Sequence, residues 1–164
     1  MFKQRRIVIK GAGDLATGVA ARLWRSGFSV MMTEIAEPLT VRRSVSLSDA
    51  VYDGATTVED LTARRGADKA HILDALDEGT IPVRVDPGAE IVREMEPFAV
   101  IDAIMAKKNI GTSMDDAPLV VGLGPGLTAV HDVHAVVETK RGHTLGRVIW
   151  EGSAIPNTGI PGEV

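Results

Sequence analysis

Two groups of residues in this sequence have the types and spacing to do chemistry. The first is Lys10-Gly11-Ala12-Gly13-Asp14-Leu15-Ala16-Thr17-Gly18, a Gly-x-Gly-x-x-Ala run that ends the apolar stretch Ile7-Val8-Ile9. In such a run Gly11 permits a tight turn, Gly13 lets backbone approach a pyrophosphate, and Ala16 keeps the following helix close to the strand. A helix starting there offers the N–H groups of Asp14, Leu15 and Ala16 and the positive end of its dipole, so an anion is stabilised without a charged side chain. Glu34 stands twenty-one positions after Gly13, at the end of a second apolar run, where a carboxylate meets a ribose hydroxyl. Lys10 adds a point charge for phosphate and offsets Asp14, whose own charge opposes an anion. Arg42 and Arg43 follow the second run closely enough to meet a ribose 2′-phosphate or a second phosphate, or else form a solvated pair on a loop. The competing reading of the whole turn is a strand-to-helix connection that needs glycine for its geometry alone.

The second group is His131, Asp132, His134, Glu138 and His143, an inventory of metal ligands in a short space. On a strand, Asp132, His134 and Glu138 share one face, and His143 lies past a turn from which it can fold back. Imidazole with carboxylate suits zinc, manganese or iron, although no HExxH spacing is present. The milder reading has His131 and His134 hydrogen-bonding a bound anion or a pterin-like ring. Just before them, Leu119-Val120-Val121-Gly122-Leu123-Gly124-Pro125-Gly126 repeats the opening theme, an apolar strand emptying into glycines. If the two strands are neighbours, the Gly122, Gly124 and Gly126 loop faces the same crevice as the first glycine turn.

The elements that must position these groups follow from pattern. After the first glycine turn, Leu15, Val19 and Leu23 with Ala16, Ala20 and Trp24 predict a helix closed by Gly27, and residues 28–33 predict a second strand. Residues 34–43 are too polar and proline-broken for a core strand and read as a loop over the ligand crevice. A short helix capped by serine over 46–52 ends at Asp53-Gly54, and residues 56–61 add a short strand. A helix over 68–76 with Ala70, Leu73 and Leu76 inward, strands at 81–86 and 98–101, and an amphipathic piece over 102–107 complete the middle. From Asp132 the grammar changes: 133–139 and 145–150 flank Lys140-Arg141-Gly142-His143-Thr144 as an antiparallel hairpin.

The totals narrow the possibilities. The chain has 164 residues, a net charge of −4, 45% hydrophobic residues and 4% aromatics, so its core is Val, Ile, Leu and Ala, as in a parallel sheet buried on both faces. Scattered basic pairs exclude nucleic acid as the main partner. The absence of cysteine excludes disulfides, thiolate metal sites and sulfur or selenium chemistry run through a thiol of this chain. With no apolar leader and no run long enough to span a bilayer, the expectation is a cytoplasmic protein with no membrane partner. We therefore expect an α/β fold, a Rossmann-like three-layer parallel sheet over residues 1–130, carrying a C-terminal antiparallel β-hairpin extension and a Pro/Gly-rich tail over 131–164.

The same residues resemble a known family. Residues 9–18, Met32-Thr33-Glu34, Pro38-Leu39, Val41-Arg42-Arg43 and Ala50-Val51-Tyr52-Asp53-Gly54 are similar to the selenium-dependent molybdenum hydroxylase system proteins. So are Asp102-Ala103-Ile104, residues 107–112 and 117–126, the run from Asp132 to Gly146, and Pro156-Asn157-Thr158-Gly159. The resemblance implies an accessory role in making or loading molybdenum hydroxylases, with a client hydroxylase or its assembly machinery as partner and homo-oligomers as a further possibility. Its opening motif also looks like the Rossmann portion of xanthine dehydrogenase accessory proteins, which handle molybdenum cofactor. Family members continue into a β-rich region resembling biotin or lipoyl carriers, and this sequence stops at Val164.

Three functions follow as expectations. The leading one is a maturation factor binding a nucleotide or molybdopterin dinucleotide, with phosphate on Gly11, Gly13 and the N–H groups of residues 14–16, ribose on Glu34, and the far end of the ligand on the Gly122–Gly126 loop and His134. The second is an NAD(P)-dependent oxidoreductase using the same pocket, with His131 or His134 as acid or base. The third is a non-catalytic adaptor for the client, in which the glycines only shape turns.

Overall fold

A computed structural model describes residues 5–156. The basic start, Met1 to Gln4, and the Pro/Gly-rich tail from Asn157 onward lie outside the described residues.

The run Ile7-Val8-Ile9 forms β1 (Arg6–Lys10), buried from its second residue onward, and the chain then turns through Gly11 into α1 (Asp14–Arg25). The stripe that α1 buries is Ala16, Thr17 and Ala20, with Val19, Leu23 and Trp24 partly covered. Leu15, expected on that face, is instead exposed beside the turn. Small residues win here because they let the helix lie close to the strand. Gly27 closes the helix with φ of +87°, as expected, and β2 (Ser29–Glu34) follows.

Two 3-10 turns lead into α2 (Ala50–Asp53), ended at Gly54 with φ of +80°. The hairpin β3 (Ala55–Val58) and β4 (Leu61–Arg65) precedes α3 (Lys69–Asp77), whose buried residues are Ile72 and Ala75. Leu73 and Leu76 are half-covered, so the inward stripe is turned slightly from the expected one. Next come β5 (Ile81–Val85), α4 (Ile91–Met95) and β6 (Ala99–Asp102). The amphipathic piece expected after Asp102 is not a helix. Residues 103–118 form an irregular crossover, with left-handed backbone at Met105, Lys107 and Gly111 and one 3-10 turn at Met114–Asp116. The last strands are β7 (Leu119–Leu123), β8 (Thr128–Ala129), β9 (Ala135–Val137), β10 (Val148–Ile149) and β11 (Gly152–Ser153).

Nine strands form one sheet in the order β10-β9-β7-β6-β1-β2-β5-β4-β3, and β8 pairs with β11 in a separate two-stranded sheet. The seven inner strands run parallel, while β3 and β10 are antiparallel edges. Alternate residues of β1 divide the core. Ile7 and Ile9 pack with α1 and α2 on one face, and Val8 packs with α3, α4 and the 127–136 segment on the other. This is a Rossmann-like α/β fold in three layers. The expected antiparallel pair near the C-terminus is present as β9 with β10, but β9 is itself a parallel strand of the main sheet through β7. Among the described residues no helix is long and apolar enough to cross a membrane.

Candidate functional site

The strand order reverses at β1. Its connection through α1 leads to β2 on one side along the first face, whereas the 103–118 crossover that leaves its other neighbour, β6, starts against that face at Ala103 and Met105 and reaches the opposite face at Thr112 and Asp116. Where connections diverge at a reversal of strand order, the crevice in which open α/β sheets bind ligands lies outside the carboxyl ends of the strands, here β1 and β6.

The first glycine turn forms one wall of that crevice. Gly11 has φ of +97°, and a Cβ there would stand 3.1 Å from the Ala103 carbonyl oxygen, so this glycine is required by the fold. Its N–H donates to Thr33 O at 2.9 Å. Behind the turn, Ser48 N–H donates to Ala12 O at 3.0 Å, and Thr17 Oγ1 accepts from Leu47 N–H at 2.9 Å. Gly13 differs. It caps α1 with φ of −68° and ψ of −175°, a conformation open to any residue, and the nearest atom to an added Cβ is Thr40 Oγ1 at 3.9 Å. Nothing in the fold requires glycine there, and a side chain at 13 would instead fill the approach to the helix N-terminus. Among the described residues no acceptor takes the N–H groups of Gly13, Asp14 or Ala16.

Two acids shape the donors that are used. Glu34 Oε1 accepts from Ala12 N–H at 3.0 Å and Oε2 from Ile35 N–H at 2.7 Å. Each oxygen keeps acceptor capacity for one further donor. Asp14 Oδ1 accepts from Leu15 N–H at 3.0 Å, and its Oδ2 is paired with Arg42 Nε at 3.0 Å. Arg42 therefore stands at the helix end rather than beside Glu34. Arg43 turns away to Asp49 and lies over the Tyr52 ring.

Lys10 corrects an expectation. Its ammonium is buried on the second face of the sheet, donating to Thr112 Oγ1 at 3.0 Å and pairing with Asp116 Oδ2 at 3.2 Å. Thr112 in turn donates to Asp102 Oδ2 at 2.5 Å. Strand alternation explains the outcome: Lys10 shares the parity of Val8, so it points away from α1 and the helix N-terminus. It pins the irregular crossover to β1 and neutralises Asp116, and the partner of Asp14 is Arg42.

The second glycine loop does not join the first, because β6 lies between β1 and β7. An added Cβ at Gly126 would stand 2.4 Å from backbone of Lys107 and Lys108, one at Gly124 would meet Thr139 Oγ1 at 2.6 Å, and one at Gly122 would meet Leu127 Cδ1 at 2.5 Å. The space beside each of these glycines is filled by the protein's own atoms, from Leu127, from Thr139 and Met105, and from the crossover backbone at Lys107 and Lys108, so they serve packing. His134 lies three strand spacings from β1, roughly 14 Å. Its Nδ1 accepts from Val120 N–H at 3.0 Å and its backbone N–H donates to Val120 O at 2.8 Å, so His134 extends the pairing along β7.

The metal-ligand inventory disperses for similar reasons. Asp132 accepts from Thr128 N–H at 2.8 Å and from Asn109 at 3.0 Å, while His131 and His143 are exposed in turns. Glu138 is buried, with Oε1 on Lys140 N–H and Oε2 on Ile155 N–H, both at 2.8 Å. Burial pushes its carboxyl up, but the N–H groups of Ile155, Lys140 and Thr139 outweigh that and hold it below the usual carboxylate range. Among the described residues no three such side chains converge on a point that could hold a metal ion. Cavities of about 510, 370 and 780 Å³ are lined by described residues elsewhere, none of them by residues 11–16.

The chain is similar to the uncharacterized protein YqeB of Escherichia coli (strain K12), with 49% identity over 158 residues. The match covers 96% of this chain and 29% of that relative, so the chain spans less than a third of the relative's length. No family model matches the chain, and no solved structure does.

Proposed function

We propose that this chain is a nucleotide-binding accessory protein, which holds the phosphate end of a nucleotide or of molybdopterin dinucleotide in the crevice between β1 and β6. Gly13 carries the reading. Its backbone tolerates any side chain, yet glycine here leaves open space beside three N–H groups at a helix N-terminus that no acceptor among the described residues takes. Phosphate accepts from Gly13, Asp14 and Ala16, the ribose diol donates to Glu34, and Arg42 exchanges Asp14 for a phosphate oxygen. The assignment to maturation of selenium-dependent molybdenum hydroxylases, with a hydroxylase or its assembly machinery as partner, is supported by the sequence resemblance over residues 9–54 and 102–159. The histidines on which the oxidoreductase reading rests stand apart from residues 11–16: His134 is committed to Val120, and His131 is exposed in the turn after β8.

Thermal-shift titration against ADP, CDP, GDP and NAD tests the reading. A nucleotide present at a hundred times its dissociation constant is expected to stabilise the protein by about 2.7 kcal/mol. No shift with any nucleotide would leave the adaptor reading in its place, and turnover of NAD to NADH with a substrate would favour the oxidoreductase.

A further inference from the structure

Residues 38–42 pass beside the glycine turn with alternate side chains turned inward: Pro38 is buried and Thr40 half-buried, whereas Leu39 and Val41 are 88% and 95% accessible. Three contacts hold this strap. Tyr52 Oη donates to Pro38 O at 3.2 Å, Thr40 Oγ1 and Ser48 Oγ stand 2.8 Å apart, and Arg42 Nε pairs with Asp14 Oδ2 at 3.0 Å. Thr40 Oγ1 is also the atom nearest to a Cβ built at Gly13, 3.9 Å away.

The contact with Ser48 decides where a hydrogen goes. Ser48 is fully buried, its N–H is spent on Ala12 O, and among the described residues its hydroxyl has one acceptor within reach, Thr40 Oγ1. A buried hydroxyl takes the acceptor it has, so Ser48 donates and Thr40 accepts. The hydrogen of Thr40 is then left without an acceptor among the described residues, on a half-buried side chain beside the open space at Gly13. Neither carboxylate at the turn takes it: Asp14 is held by Leu15 N–H and Arg42, and Glu34 by the N–H groups of Ala12 and Ile35. We propose that Thr40 is a ligand-binding residue of the crevice, its hydroxyl donating to a phosphate oxygen beside Gly13. The inference rests on the phosphate-binding reading above and adds to it a donor from outside the glycine turn. A hydroxyl that already accepts from a neighbour is polarised toward donating, which suits it to an anion. The strap thus brings two groups to the same helix end, an uncharged donor in Thr40 and a cation in Arg42.

Calorimetric titration of the whole chain with pyrophosphate and with ADP tests the proposal in four variants. T40V removes the donor and is expected to weaken both ligands about tenfold. T40V/S48A removes both hydroxyls, so no buried group is left without a partner, and is expected to lose as much while melting close to wild type. T40S keeps the donor, and S48A leaves Thr40 free to donate; each is expected to bind within about twofold of wild type. Pyrophosphate held by T40V as tightly as by wild type would overturn the proposal. So would S48A weakening pyrophosphate as much as T40V does, since the hydroxyl pair would then act only by holding the strap. A wild type that binds neither pyrophosphate nor ADP would overturn the phosphate reading itself, and this inference with it.

Discussion

Glu34 does two things at the mouth of the crevice: it fastens the glycine turn by accepting from Ala12 N–H, and it leaves one lone pair on each oxygen for an incoming hydroxyl. Glu34→Ala separates these roles. Loss of a charge-assisted hydrogen bond to ribose is expected to weaken ADP about tenfold, or ~1.4 kcal/mol. Pyrophosphate, which has no ribose, is expected to bind at least as tightly, because the substitution frees the Ala12 donor and removes a repelling charge; parallel calorimetric titrations read both. Glu138 provides the acid-sensitive counterpart. Its carboxyl is depressed in the folded state, so its contribution is fully present above the ordinary carboxylate range and is lost as pH falls through the lower folded-state value. Glu138→Gln is therefore expected to lower stability by about 1–3 kcal/mol at neutral pH. That difference from wild type should shrink toward zero in melts taken at progressively lower pH below the carboxylate range. A constant difference across that range would show that Glu138 acts by shape rather than by charge.

At the scale of elements, the sequence spoke most clearly where a local rule set the outcome. The turn after Ile9, the closure of α1 at Gly27 and the pairing of β9 with β10 follow from glycine chemistry and alternation, and all are present. Parity also placed Lys10, but only once the identity of each face was known, and nothing in its neighbourhood in sequence announces Thr112 and Asp116 as partners. Within the crossover, the piece over 103–107 was illegible as irregular because its apolar spacing imitates a helix, and the path of the whole segment is fixed by distant contacts to Lys10 and Gly126. Those contacts can be measured. Gly126→Ala combines φ of +112° with a Cβ 2.4 Å from backbone of Lys107 and Lys108, and is expected to cost at least about 2 kcal/mol in denaturant unfolding. Gly54→Ala has φ of +80° but no atom within 4 Å, and should cost only about 1 kcal/mol. Equal costs at the two sites would mean that the second glycine loop does not lean on the crossover.

At the scale of the whole molecule, the decisive fact is which strand lies beside β1. A single sequence shows two glycine loops at strand ends and offers no means of telling that β6 separates them, since strand order is a property of long-range pairing. That one insertion moves Gly124, Gly126 and His134 out of the candidate site and leaves the crevice to Gly13, Asp14, Ala16, Glu34 and Arg42. Gly13 then offers the way to tell a site from a mere turn, because the fold would accept a side chain there and the proposed ligand would not. The most direct test is calorimetric titration of wild type and Gly13→Val with the nucleotide that gives the largest thermal shift. We predict unchanged unliganded melting temperatures, binding by wild type, and none by Gly13→Val; binding that survives the valine, or its absence from wild type, would contradict the account.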